Sequence, residues 1–379
     1  MRHLSVDEAR KIAVRAGLGT PQALAPRIDA VLAHLGMVQL DSISRVARAH
    51  QIALAARLPL SWQEVDHALW GDDEVAFEFN AHAASLIPMS HWSLWEFRRQ
   101  ALRTADIDWR PDEAFRAEIL ERVANAGEVS VAGLQNDLGD RSSGWTWSRS
   151  KTCVQYLLWT GELCCSRREG WTQVLSIPSP DLARGAQNLP TTEGLSELGR
   201  IALRSLGVAT VRDIAEYLRL KPAQVDVDGL GGVPVTVGAG ADEYYLAPEA
   251  EDAPSAEPRL LSLFDNVLWN RRRNTALFAF NAVLEAYKRA ADRKYGYYVC
   301  AVVGDHGVYG WADIRTDRAA GLLEVSKARC VEGSLDRPVV VDAIGTAMRH
   351  TLAASETDDV VLVDDAPAEW RLAIKHMKQ

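Results

Sequence analysis

The sequence predicts an α+β fold: three successive units, each a set of helices closed by a β-hairpin, followed by a small β-barrel-like C-terminal domain. Three observations predict it. The order helix, helix, helix, hairpin recurs up to Leu246. Beyond Arg259 the apolar period is mostly two. The 379 residues, 47% hydrophobic and 25% charged, suit a globular chain with several cores.

The first unit is assigned to residues 1–110. Ser5-Val6-Asp7-Glu8 is a capping-box pattern, and Ala9, Ile12, Ala13 and Ala16 supply the apolar stripe of the helix behind it. Ile28, Val31, Leu32 and Leu35 repeat at helical spacing and stop at Gly36, a C-terminal cap. In Val38-Gln39-Leu40-Asp41 the period changes to two, which puts Gln39 and Asp41 on the polar face of a half-buried strand or extended turn. The second unit, 111–180, opens near Asp112 with Phe115, Ile119, Leu120 and Val123 on one helix face. A helix over Ser148 to Thr160 and two strands around Leu163 and Val174 follow. The third, 190–248, repeats the order in abbreviated form, because Lys221 to Leu230 must hold any third helix and Pro222 limits where it begins. Residues 249–259, rich in Pro, Ala and acid, read as a linker. Residues 260–379 form the C-terminal domain, with strands near 297–303, 308–314 and 322–325 and a closing helix over Asp342 to Ala353.

Helices followed by a hairpin are the order of the winged helix, and a tandem of such units makes duplex DNA the default partner. Winged helices also serve as protein-interaction modules. The net charge of −9 runs against DNA only on average. Pro222 to Pro258 and Ala354 to Trp370 hold 14 acidic residues and no basic one within the first stretch or the second, more than the whole deficit. Arg141, Arg149, Lys151, Arg167 and Arg168 face Glu162 alone, and Arg271-Arg272-Arg273 adds a basic run, so a local basic face is compatible with an acidic chain. No apolar run approaches the roughly 18 residues of a membrane span, and the N-terminal residues lack a secretory stretch, so a soluble cytoplasmic protein is expected, in a bacterium at the nucleoid. Five cysteines without CxxC or His/Cys ligand spacing argue against a disulfide scaffold and structural zinc; no metal and no cofactor are expected.

Several blocks, in order along nearly the whole chain, resemble the winged-helix DNA glycosylases of the YcaQ and AlkZ group. They are Val38-Gln39-Leu40-Asp41-Ser42-Ile43 with Ala47-Arg48-Ala49-His50, then Phe77 to Pro88 with its Ala81-His82 pair, then Gly144-Trp145-Thr146-Trp147-Ser148, then Phe264 to Arg272, and Lys294-Tyr295-Gly296-Tyr297-Tyr298. Asn80, Ala83, Leu263, Asn266 and Asn270 depart from the family pattern, which carries Pro at the positions of Leu263 and Asn266. Asp rather than Gln at the second catalytic position marks the Gln-x-Asp branch, which the resemblance associates with broader activity on alkylated purines and interstrand crosslinks.

The resemblance implies that Gln39 and Asp41 are catalytic. Alkylation at N7 or N3 makes a purine cationic and already a good leaving group, so no general acid is needed for the base. The barrier lies in the sugar, where positive charge develops. A fixed carboxylate at Asp41 stabilises that charge and takes a proton from water, while the Gln39 amide positions the water. Ser42, Arg48, His50, His82, Trp145, Trp147, Arg149, Lys151, Arg271 and Arg272 are the expected DNA contacts. For several of them the residues leave alternatives open. His50 and His82 either contact phosphate, orient Asp41, or are hydrogen-bonded packing histidines. One of Trp145 and Trp147 belongs either to the DNA face or to a core. The arginine run either neutralises phosphates or pairs with acids. The function expected is a monomeric, monofunctional glycosylase acting on double-stranded DNA that contains alkylated purines. The rival readings are a non-enzymatic winged-helix regulator and a protein-interaction scaffold.

Overall fold

The computed structural model describes residues 2–19, 27–71, 73–140, 148–331 and 335–378. Helix Val6–Leu18 starts at the capping box, Ser5 Oγ accepting from the Glu8 amide while Glu8 accepts from the Ser5 amide at 2.8 Å. Helix Ile28–Leu35 buries Ile28, Val31, Leu32 and Leu35 and ends at Gly36. The φ of 76° there favours glycine, and a Cβ would also strike Ile201. The chain passes directly into strand Val38–Gln39, which pairs with the returning strand Ala84–Pro88 of the hairpin that begins at Ala76–Asn80. Helices Ala49–Ala55 and Trp62–Leu69 fill the connection.

The second unit has the same plan. Helix Glu113–Ala126, strand Glu128–Ser130, helices Val131–Asp137 and Arg149–Thr160, and the strands Cys164–Glu169 and Thr172–Ser176 follow in turn, and the last strand is again central. Ser148 caps the fourth of these elements through the Lys151 amide, and Gly161, at φ 74°, ends it. In the third unit, helices Thr191–Leu206 and Val211–Leu218 precede the hairpin Val233–Val237 and Glu243–Leu246. Only the 3-10 turns Pro222–Gln224 and Asp228–Leu230 stand where a third helix would fall, with Pro222 at the start of the first. The sheet is completed from the other end of the chain: Arg2–Leu4 runs parallel to Val233–Val237. Gly207, at φ 70°, brings the third unit against Ile12 and Ala16.

The C-terminal strands Arg259–Ser262, Val299–Gly304, Gly307–Asp317, Leu322–Cys330 and Asp359–Leu362 lie side by side in chain order. This corrects the barrel-like expectation. Among the described residues no sheet closes, and helix Arg337–Ser355 covers the sheet instead, with Ile344, Ala347 and Met348 in one core with Leu323 and Val325. The stretch read as a linker is packed: Ala250 is buried, Glu251 pairs with Arg2 at 2.6 Å, and the Ala256 amide donates to Asp305. No helix among the described residues is long and apolar enough to cross a membrane.

Candidate active site

The alternation at Val38 to Asp41 is present in space. Val38 and Leu40 are buried, Gln39 and Asp41 half-exposed. The Leu40 amide donates to the Ala84 carbonyl at 2.7 Å, extending the pairing one residue past the strand. Asp41 then starts a turn in which its Oδ1 accepts from the Ile43 amide at 2.7 Å. It makes no ion pair with a described residue. Burial holds its carboxyl above the ordinary range, and the Ile43 amide only partly opposes that. The Gln39 amide makes no hydrogen bond to the described residues, so donors and acceptor remain for a water or a substrate.

The segment is held at both ends. On the entry side, buried Asn266 donates through Nδ2 to the Met37 carbonyl at 2.8 Å and to the Tyr217 hydroxyl at 2.5 Å, and that hydroxyl donates to the Leu35 carbonyl at 2.6 Å. On the exit side, the Thr316 amide donates to the Arg45 carbonyl at 3.0 Å and Arg318 to the Val46 carbonyl at 3.1 Å. The Tyr298 phenol is fully buried. Burial drives its pKa well above the usual range, and the neighbouring Asp41 charge adds to the shift. Ser85, which pairs with Gln39 across the sheet, borders a cleft of about 510 Å³ between the first hairpin and the second unit, where Lys151, Gln155, Trp159 and Trp171 form the far wall.

The family model described as DNA glycosylase AlkZ-like matches residues 32–352, from the helix before Gln39 into helix Arg337–Ser355. The chain belongs to the AlkZ-like DNA glycosylase family. Among solved structures it is similar to the Streptomyces sahachiroi DNA glycosylase AlkZ. That likeness, at 18% identity and a TM-score of 0.64, covers 95% of this chain and 100% of that one, and it speaks for the fold. The enzyme is thus a DNA glycosylase, and the regulator and scaffold readings give way.

The remaining expected DNA contacts of this glycosylase fall into distinct places. Ser42 is exposed on the turn after Asp41. Arg48 is half-buried and stacks at 4.3 Å on Trp171, the tip of the second hairpin, whose ring also carries Arg168 at 3.9 Å. Arg168 in turn pairs with buried Glu78 of the first hairpin. His50 and His82 are corrected to the packing alternative. His50 is 0% exposed, its Nε2 2.9 Å from Asp66 Oδ1, and burial lowers its pKa. His82 lies parallel to Trp269 at 4.0 Å, donates to the Tyr217 carbonyl and accepts from Arg219; burial, then the Arg219 charge, lower it to about 4. Both rings are buried, and His50 Nδ1 has no partner among the described residues. Arg149 is exposed but paired with Asp112 at 2.6 Å and lies over Phe115 at 3.9 Å. Lys151 is exposed at the cleft. Trp145 and Trp147 lie outside the described residues.

The arginine run divides. Arg271 is exposed, Arg272 pairs with Asp213 at 2.6 Å, and Arg273 is buried, donating to the Leu206 and Val208 carbonyls. Its block is mainly a lock. Asp265 forms a two-point buried pair with Arg57 at 2.8 and 2.9 Å, Asn266 holds Met37, Trp269 covers His82, and Asn270 caps helix Arg271–Phe278. Sequence reasoning missed Asn266, Trp171 and Tyr298. The only local signals were the place of Tyr298 in the Lys294 to Tyr298 block and that of Asn266 in the Phe264 to Arg272 block, where it departs from the family pattern; nothing local marked Trp171.

Proposed function

We propose that this glycosylase is monofunctional and releases bulky N7- or N3-alkylated purines, interstrand crosslinks included, from duplex DNA, which its three helix-and-hairpin units grip as winged helices. As the C1′–N9 bond breaks, its electron pair goes to the purine and cancels the ring's positive charge. The sugar becomes cationic, water bonds to C1′, and the water's proton passes to Asp41. The Gln39 amide orients that water. No lysine is used as nucleophile, so the product is a free base and an abasic site.

One observation carries this reading: Asp41 is a half-exposed carboxylate beside the Gln39 amide, and no cation among the described residues neutralises it. A duplex with one N7-methylguanine, and another with a nitrogen-mustard crosslink, incubated with the protein and then treated with alkali, tests it. Strand breakage at the lesion is expected, with no borohydride-trapped adduct. Intact strands with every such lesion would overturn the proposal.

A further inference from the structure

The C-terminal sheet carries a pocket that the catalytic segment does not use. It measures about 470 Å³ and is walled by the cations of Lys294, Lys327 and Arg329, the rings of Tyr295 and Trp311, and the Cys330 thiol. Among the described residues no carboxylate lines it. Lys294 and Tyr295 come from the lead-in to strand Val299–Gly304, and Lys327 and Arg329 from strand Leu322–Cys330, so two separate segments bring the cations together.

The backbone of this wall is specially shaped. Five described residues other than glycine have positive φ, and two of them, Ala279 at 50° and Lys327 at 49°, line this one pocket. Such conformations are unfavourable for a residue with a Cβ and gather at functional sites. At Lys327 the cause is visible. The pairing register slips between Trp311 and Asp313, and the freed Lys327 amide donates to both oxygens of Asp364 at 2.9 and 3.1 Å. The Lys327 ammonium is held in place by the Arg293 carbonyl at 2.5 Å, and the Lys294 ammonium lies 5.1 Å over Tyr295.

The pocket is tied to the catalytic segment. The ring of Tyr297, two residues beyond Tyr295, is approached by two guanidinium groups, Arg293 at 4.8 Å and Arg45 at 5.7 Å, and Arg45 belongs to the loop that begins at Asp41. Three cations without a lining acid repel a positively charged alkylated purine and attract an anion. The rings beside them offer apolar faces of the size of a sugar or base. We propose that this pocket binds a phosphodiester of the substrate DNA, with the sugar or base of the same nucleotide against Tyr295 and Trp311, as an anchor separate from Gln39 and Asp41. It rests on the action on duplex DNA proposed above.

The test is a double variant, Lys294→Gln with Lys327→Asn, the latter chosen because Asn tolerates a positive φ. The control is Arg289→Gln, an exposed cation of the same connection. Anisotropy of a labelled undamaged duplex is followed over a salt series. The double variant should bind about tenfold more weakly near 0.1 M salt, with the log–log salt slope shallower by about 1 to 2, and the control should stay within about twofold. Excision at saturating protein should be unchanged in both. A double variant with wild-type melting temperature, affinity and slope overturns the proposal. So does tight deoxyadenosine monophosphate binding by the wild type that the double variant loses while duplex binding persists, because the pocket then serves a free nucleotide. A wild type that binds duplex but releases no base fails as the catalyst proposed above and leaves the weakened binding of the double variant as support for the anchor.

Discussion

A carboxylate that is to meet a developing positive charge works best when no other cation already holds it and when it is partly removed from water. Among the described residues Asp41 has both properties: its one hydrogen bond comes from the Ile43 amide, and burial raises its pKa. Asp41→Asn keeps the turn's acceptor oxygen and removes the charge. Single-turnover excision should fall by about 10²–10³ with duplex affinity unchanged, whereas activity near wild type would take Asp41 out of the mechanism. The wild-type rate should rise with pH through a value above the ordinary aspartate range near about 4. The sign for stability is opposite to that of a salt-bridged carboxylate. The folded state holds this proton more tightly than the unfolded chain does, so the stability it contributes is present at low pH and lost as pH rises through the folded pKa. At neutral pH the charged form is a burden, and Asp41→Asn should melt no lower than the wild type in a thermal scan.

The strand that carries Gln39 is two residues long, too short to hold its own position, and its placement comes from what grips it. Asn266 stands where the family pattern carries Pro, which has no donor to offer, and here its Nδ2 reaches both the Met37 carbonyl and the Tyr217 hydroxyl. Asn266→Leu leaves a buried carbonyl short of a donor and should cost about 1–3 kcal/mol in a denaturant titration. As Asn266 acts through the strand, the rate of excision should drop while the duplex concentration giving half-maximal rate stays put; equal loss in both would mean a general loosening. At this scale much was legible in the sequence. The Ser5 capping box, the Gly36 stop, the Val38 to Asp41 alternation and the Ser148 to Thr160 helix are all local patterns of caps and periodicity. The docking of one element on another was not. Arg48, an expected DNA contact, stacks on Trp171, and no periodicity links a loop cation to a hairpin tip so far along the chain.

For the whole molecule, the long-range contacts decide what the sequence could not show. Arg57 and Asp265 are 208 residues apart yet form a buried, fully bonded pair that joins the N-terminal unit to the block before helix Arg271–Phe278. Pairs of this kind have no local signature, so the block that ends in the expected contacts Arg271 and Arg272 is mostly an internal lock. The same burial that turned His82 inward makes the fold sensitive to acid. Burial, chiefly, lowers His82, His91 and His350 each to about 4, and lowers His34 and His50 as well. An unfolded histidine titrates near about 6.5, so between these values the unfolded chain binds protons that the folded one refuses. Stability is therefore fully present above about pH 6.5 and is lost as pH falls toward about 4. For His82 the loss is on the order of 3 kcal/mol across that window. Carboxylates held low by ion pairs, such as Asp305 with Arg15, release their stability only at lower pH, so the upper part of the fall isolates the histidines. Melting temperatures measured in steps from pH 7.5 to 4.5 should decline below about 6.5, and His82→Gln should make that decline shallower than in the wild type. A melting temperature that stays level down to about pH 5 would mean that these imidazoles take up their protons without unfolding the chain, and that the stacked His82–Trp269 contact does not exclude the charged ring.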